Sequence, residues 1–458
     1  MSRPTSRTGR RGQPPKPADL SSGLGSAPHA APETESSEDR QWSSPRNRET
    51  GARQKPQSAK RILVLDPGFR SLTGHHYNIN VALVEAAASM NAEFRILAGE
   101  TCENMGKLES VTTPFFKTDL YEGASQFPES WEFDSWLHVN AKFRADLKRI
   151  DPDSLAWANL ILVPAVTQFH MFALAQWLRD TLEQHLELKA VIQLMFSPTW
   201  TAWDAICEAG EQMYADAFAC LAPYEGKRVF YTSELKSSCR EFEHMLSSEV
   251  HVLPHAGIWR PEKTRTVAAS DVPTIGFFGV AKREKGFQLL PEIVREIRRT
   301  LLPSDAHMII QINHGGYDAL IEKADRDLRE LAGPGLELRL GSMSEEDYLD
   351  AFESADIQLL PYDPLLYRGR GSGVFSEAIG YGKIVVAPRA SGVGEEIAQG
   401  RGAGVLFDRH SARDVARAVE EAVRRAPELA SQARRHAEQW RKAHSGQGYL
   451  AIIDQLVS

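Results

Sequence analysis

From Arg61 to its end the chain alternates short apolar runs with longer amphipathic stretches, and this rhythm limits the folds open to it more than any other feature. In the first half the runs are RILVLD (61–66), FRILA (94–98), NLILVP (159–164), AVIQLM (190–195), VFYT (229–232) and EVHVL (249–253). The second half repeats the plan with TIGFFGV (274–280), HMIIQI (307–312), LELRL (336–340), DIQLL (356–360), KIVVA (383–387) and GVLF (404–407). Short runs separated by helical stretches, such as 76–89 and 170–184, predict parallel strands with helices on both faces. Ser344 three residues before Asp347, and Ser411 three before Asp414, predict helix starts. A chain of 458 residues exceeds one ordinary core, and the apolar period lapses over HAGIWRPEKTRTVAASD (255–271). The expected fold class is therefore α/β, with two Rossmann-like doubly wound domains facing a cleft, one over 61–258 and the other over 259–430. Such sheets bind ligands outside the carboxyl ends of their strands.

Residues 1–60 break the pattern. They hold almost no aliphatic residues and carry a net charge of +5, which leaves −13 on the remainder. The composition predicts a disordered N-terminal arm. An acidic body argues against an enzyme that grips nucleic acid through a broad basic face. The arm lacks the apolar centre of a secretory signal, and its acidic cluster at 33–39 does not suit a transit peptide. No run of eighteen apolar residues occurs. Cys102, Cys207, Cys220 and Cys239 have neither metal-ligand nor disulfide-framework spacing. The expected compartment is the cytoplasm.

Two glycine loops in the second half carry the chemistry. In FFGVAKREKGFQLL (277–290) a strand passes through Gly279, Lys282, Arg283, Lys285 and Gly286 into a helix start. Free backbone N–H groups and the helix dipole make such a start an anion site, and Lys285 adds a point charge able to reach a diphosphate. Lys282 and Arg283 read as solvated. The second loop follows DIQLL, carries Arg368 and Arg370, and opens a helix at Ser372, Gly373 and Val374. Gly373 lets a phosphate approach the backbone, and an arginine can fork onto its oxygens. Glu377, one turn further, suits a carboxylate that accepts hydrogen bonds from ribose hydroxyls; alone it would read as a dipole complement or a solvated side chain.

In the first half, DPGFRSLTGHHYN (66–78) places Gly74, His75 and His76 after the first strand, as acceptor-side candidates. His170, after the third run, is another, though a lone histidine is more often structural. Asp151–Pro152–Asp153 reads as a turn, and Asp325 and Asp327 lie in a helical stretch pointing apart, so no catalytic metal and no cofactor are expected. The segment 135–150 puts Trp136, Phe143, Leu147 and Ile150 on one stripe; core packing is favoured over docking on a membrane.

These loops, together with GSMSEEDYLDAFESADIQLLPY (341–362), SEAIGYGKIVVAPRASGVGEEI (376–397) and GRGAGVLFD (400–408), resemble the nucleotide-sugar domain of GT-B glycosyltransferases of the retaining family 4 (glycosyl transferases group 1) type. The resemblance implies transfer of a sugar, with retention and without metal, from a nucleoside-diphosphate sugar to the hydroxyl of a glycan, a lipid-linked glycan or a small molecule. It also implies Lys285 and the amides after Gly373 on the diphosphate, Glu377 on the ribose, and the backbone near Met343 beside the base. Lys285 and Arg370 would stabilise charge on the leaving oxygen. The segment 431–458 would cross back to the first domain, offering Trp440, Tyr449, Leu450, Ile453 and Leu456 for that contact. Membrane-associated members dock through a basic aromatic helix, which keeps peripheral contact with the inner face of the membrane open for the 135–150 segment. Three positions depart from the family pattern: Gly369 replaces the first of two glutamates, Val280 replaces an arginine, and Met195 and Phe196 stand where many members have a histidine. The alternatives are a nucleoside-diphosphate-sugar 2-epimerase of GT-B fold and a non-catalytic GT-B-like binding protein.

Overall fold

Thirteen elements build the first half: β1 (Lys60–Asp66), α1 (His75–Ala86), β2 (Ala92–Gly99), β3 (Thr112–Phe116), α2 (Trp131–Leu147), α3 (Pro152–Trp157), β4 (Leu160–Val163), α4 (Gln168–Gln184), β5 (Lys189–Gln193), α5 (Gly210–Leu221), β6 (Val229–Ser233), α6 (Lys236–Glu243) and β7 (Val250–Val252). The computed structural model describes residues 59–72, 74–103, 105–122, 131–199, 207–260, 272–301 and 303–458. The arm expected over 1–60 lies, except for its last two residues, outside them. The strands are all parallel, in the order β3-β2-β1-β4-β5-β6-β7. Ile62, Leu63, Val64 and Leu65 are fully buried because helices cover both faces, which is why the run is continuously apolar rather than alternating.

The second half repeats this order with β8 (Thr274–Phe277), the short β9 (Val280–Ala281), α7 (Leu290–Thr300), β10 (His307–His314), α8 (Ala319–Leu331), β11 (Leu336–Leu340), α9 (Glu345–Ser354), β12 (Ile357–Leu359), α10 (Gly373–Gly380), β13 (Ile384–Pro388), α11 (Gly392–Ala398), β14 (Gly404–Phe407) and α12 (Ala412–Arg424). Its strands run β11-β10-β8-β12-β13-β14, with β9 paired to β10. Two long helices close the chain, α13 (Ala426–Ala443) and α14 (Gly446–Val457). Ser344 and Ser411 cap α9 and α12 by accepting from the N–H groups of Asp347 and Asp414.

Local readings and structure part in a few places. The strand β3 escapes the apolar pattern because it is an edge strand, where Pro114 costs no ladder bond. Asp151 is not in a turn: it caps α3, its carboxylate accepting from Asp153 N–H, with Pro152 at the first helical position. On α2, Phe143 and Leu147 are buried, as is Ile150 just beyond it, and Lys142 pairs with Glu122 at 2.7 Å, so this stripe is core. Trp440 packs with Phe375 of the second half and donates to Ser376 Oγ at 3.1 Å, rather than reaching the first half. Return to the first half is made by α14, whose Tyr449, Leu450 and Ile453 join its core and whose Tyr449 hydroxyl donates to Gln193 Oε1 at 2.9 Å.

Candidate active site

In each sheet the chain leaves β1 or β8 toward one side and β4 or β12 toward the other, so a crevice opens between neighbouring carboxyl ends. The crevice of the second sheet is lined by both glycine loops. Gly279 (φ 103°) and Gly286 (φ 73°) lie in the left-handed region, where a side chain is strained. A Cβ on Gly279 would stand 2.9 Å from Lys285 Nζ, and one on Gly286 would collide with the Pro361 carbonyl. Gly279 N–H donates to Gln311 Oε1 at 2.9 Å, and Gln311 Nε2 donates to Gly341 O at 3.2 Å, which ties the lysine loop to the loop that carries Met343.

Across the crevice, Ser372 caps α10 by accepting from Phe375 N–H at 3.2 Å, and its hydroxyl meets Tyr362 Oη at 3.0 Å. Gly373 is exposed, and a Cβ there would meet nothing within 4 Å, so open space lies against the first turn of α10, whose N–H groups lack intrahelical partners. The Val374 side chain lies against Gly279. Glu377 accepts from Tyr348 Oη at 2.7 Å. Burial pushes its carboxyl up to about 7, against the opposing pull of the Tyr348 hydrogen bond and the Lys285 charge. Lys285 is held down to about 8, by burial first and then by Arg370, with Glu284 and Glu377 opposing.

Arg370 joins this site to the first half of the chain. Its guanidinium lies over the Tyr367 ring at 5.0 Å and 3.8 Å from Glu284 Oε1. Glu234, just past β6, stands where a side chain on Gly371 would be. Its carboxyl is raised to about 7 by burial and by Glu396, with Arg370 opposing. Arg240 pairs with Glu395 at 2.7 Å and closes the same junction.

The first sheet presents a polar chain at its own crevice. Asp66 Oδ1 lies 2.7 Å from His76 Nδ1, while Asn80 donates to Asp66 Oδ2 at 2.8 Å. His76 Nε2 lies 3.0 Å from Tyr121 Oη, and that hydroxyl lies 3.1 Å from His75 Nε2. His255 sets its ring edge-on to His75, and burial first, then His76, His255 and Arg370, lower the affinity of His75 for a proton. Gly74 (φ 85°) begins α1 at the exposed lip. His170 does not join this group: it is fully buried, with Nδ1 at 2.8 Å from Thr167 Oγ1 and Nε2 at 3.0 Å from Asp119 O. It braces the segment that carries Tyr121. Met195 and Phe196 are buried in the core, Phe196 against Tyr121.

The structure thus gathers Gly279, Lys285, Gly286, Arg370, Ser372, Gly373, Val374 and Glu377 around one crevice and sets His75 beside it. Gln311, Tyr348, Glu234 and Glu284 were missed from sequence. Gln311 left one signal, a lone polar residue inside HMIIQI. Among the described residues His314, Glu322 and Asp325 form one trio with metal-ligand spacing, but Arg329 already binds Asp325 at 2.6 Å. Asp327 pairs with Lys323, on a different side of the helix from Asp325.

Residues 272–425 match the family described as Glycosyl transferases group 1. No curated protein matches the chain in sequence. Among solved structures it is similar to Anabaena HepE in complex with UDP (TM-score 0.57, 13% identity, 86% of this chain and 98% of that one). It is also similar to the N-terminal domain of Candida albicans trehalose-6-phosphate phosphatase (TM-score 0.60, 13% identity, 89% and 98%). A third is an E. coli trehalose-6-phosphate protein bound with UDP-2-fluoro glucose (TM-score 0.57, 11% identity, 87% and 99%). No helix among the described residues is long and apolar enough to cross a membrane.

Proposed function

We propose, from the match of residues 272–425 to the glycosyl transferases group 1 and from the GT-B fold, that the protein moves a sugar from a nucleoside-diphosphate sugar to an acceptor hydroxyl, with retention and without a metal. The observation that carries the reading is that Lys285 and Glu377, within electrostatic reach of each other, share a crevice with the open first turn of α10. The α10 amides and Lys285 take the diphosphate, and Arg370 adds a second cation on the side facing the first sheet. Charge grows on the leaving oxygen as the sugar–phosphate bond breaks, so these fixed donors favour the transition state over the ground state. Glu377, oriented by Tyr348, takes the ribose hydroxyls. The base lies by the Met343 loop, which Gln311 fixes to the lysine loop. UDP sugars are the first donors to try, because HepE and the E. coli protein were solved with UDP or its glucose derivative.

The 2-epimerase reading gains one observation, the half-buried Glu234 and His75, both within electrostatic reach of Arg370. It predicts a new nucleotide sugar in the absence of any acceptor, whereas transfer requires one.

The test is a melting panel of nucleoside diphosphates and their sugars on the parent, Lys285→Ala and Glu377→Gln. A ligand at a hundred times its Kd adds about 2.7 kcal/mol of stability. Glu377→Gln should lose about 1.5–3 kcal/mol of nucleotide binding. Variants that bind nucleoside diphosphates as the parent does would show that neither loop holds a phosphate.

A further inference from the structure

We propose that the donor's ribose is gripped by two acceptors from two helices, Glu377 Oε1 on α10 and Tyr348 Oη on α9, so that Tyr348 makes the site demand both ribose hydroxyls. This rests on the donor-site reading above and divides between two groups what that reading gives to Glu377. The direction of the bond between them follows from the donor inventory. Tyr348 Oη and Glu377 Oε2 lie 2.7 Å apart, and a carboxylate only accepts, so the phenol gives its single proton to Glu377. Its oxygen is then left with lone pairs alone, and a ribose hydroxyl is a donor that suits them. Glu377 Oε2 is engaged in the same contact, while Oε1 makes no hydrogen bond among the described residues and Glu377 is only half-buried. Two neighbouring acceptors therefore stand ready for two vicinal hydroxyls, each of which brings one proton.

Their places in the fold fit the ligand. Tyr348 follows Ser344, the cap of α9, by four residues, and its N–H donates to Ser344 O at 2.9 Å. Glu377 follows Ser372, the cap of α10, by five. Each oxygen thus stands about one helical turn in from a helix start, and a turn rises about 5.4 Å. The α9 start follows the Met343 loop, where the base is placed, and the α10 start takes the diphosphate. The ribose joins base to diphosphate, so its hydroxyls fall where the two helices meet. The phenol is held in place, its ring stacked on Phe352 at 5.7 Å and edge-on to Phe278 at 6.0 Å, the residue before Gly279. Burial, with the Glu377 charge acting the same way, keeps it protonated. Glu377 is faced by Tyr348 from α9 and by Lys285 from the lysine loop. Lys285 acts alike on every diphosphate, so it does not bear on which hydroxyls are required.

The experiment is calorimetry on the full chain at about pH 8, above the value of about 7 to which the Glu377 carboxyl is raised. The ligands are ADP, GDP and UDP, the 2′-deoxy and 3′-deoxy forms of whichever binds tightest, and inorganic pyrophosphate. The parent should bind the deoxy form that deprives the carboxylate about 10- to 100-fold more weakly, and the one that deprives the phenol about 3- to 10-fold more weakly. Tyr348→Phe should bind the full nucleotide about 3- to 10-fold more weakly, accept one deoxy form as well as the full nucleotide and still reject the other. Its affinity for pyrophosphate, which has no ribose, should stay within about twofold of the parent's. A parent that binds the nucleotide and both deoxy forms alike overturns the grip, as does a Tyr348→Phe protein that still rejects both. A loss of pyrophosphate equal to the loss of nucleotide in Tyr348→Phe gives the phenol a role in the fold alone and overturns it too. A parent that binds none of the three nucleoside diphosphates overturns the donor-site reading and the ribose grip with it.

Discussion

Glu241 of α6 reaches across to Arg368 at 3.0 Å, and its carboxylate fills the space that a side chain on Gly369 would need. Gly369 is the position at which the resembled family usually has a glutamate. A carboxylate is therefore present at that place, delivered by the first half of the chain.

Restoring a glutamate by Gly369→Glu should thus harm the protein. It pushes the Glu241 carboxylate off Arg368, which it holds at 3.0 Å, and sets two like charges together. We expect a lower melting temperature and no gain in turnover, with Glu241→Ala recovering most of the loss in the double variant. A Gly369→Glu protein as stable as the parent would sink this account.

Lys285, held down to about 8, predicts a proton linkage. A diphosphate favours the ammonium, so binding near pH 8 should take up roughly half a proton, seen by calorimetry in buffers of different ionisation enthalpy. Lys285→Met should abolish the uptake, and Lys285→Ala should cut turnover by about two to three orders of magnitude. Equal uptake in parent and variant would place the titrating group elsewhere.

The pH dependence of stability follows from two opposed sets. His170 and His255 are pushed down to about 4, His444 to about 3 and His75 well below its ordinary value, all chiefly by burial. Below their ordinary 6.5 the unfolded chain binds protons that the folded one refuses, so stability falls as pH drops. Glu234 and Glu377 are raised to about 7, so between their ordinary 4.5 and 7 the folded chain keeps protons that the unfolded one has lost, and stability falls as pH rises. Four groups outweigh two up to about pH 7, where the two sets cancel, and Lys285, held down to about 8, adds a further gain as pH climbs beyond that. From pH 4.5 the melting temperature should therefore rise and then flatten near 7. A fall between pH 5 and 6.5 would contradict this, as would a Glu234→Gln, Glu377→Gln double variant whose rise is no steeper than the parent's.

Truncation in two steps separates the roles of the last helices. Removing 446–458 strips Tyr449, Leu450 and Ile453 from the core of the first half, at about 1.5–3 kcal/mol for each fully buried apolar side chain. That should destabilise the first half with little effect on nucleotide binding. Cutting at about 430 also removes Trp440, which backs Phe375 and Ser376 on α10, so nucleotide binding should fall as well. Loss of binding from the shorter cut alone would refute this division.

What the sequence determined by itself was local. The apolar runs 61–66 and 274–280 announce strands, Ser344 and Ser411 announce helix caps, and each glycine loop announces a strand turning into a helix. These follow from side-chain period and backbone freedom within a dozen residues. They suffice for the doubly wound fold and for placing Lys285 and Glu377 beside its glycine loops. The tertiary structure decided what meets at the first crevice and between the halves. Tyr121 joins His76 over 45 residues of chain, and Glu241 meets Arg368 over 127. No local pattern encodes such contacts, because the first depends on how a later segment returns to the end of β1 and the second on how the two halves meet. The raised carboxyls of Glu234 and Glu377 and the lowered Lys285 arise the same way, from water excluded by elements distant in sequence.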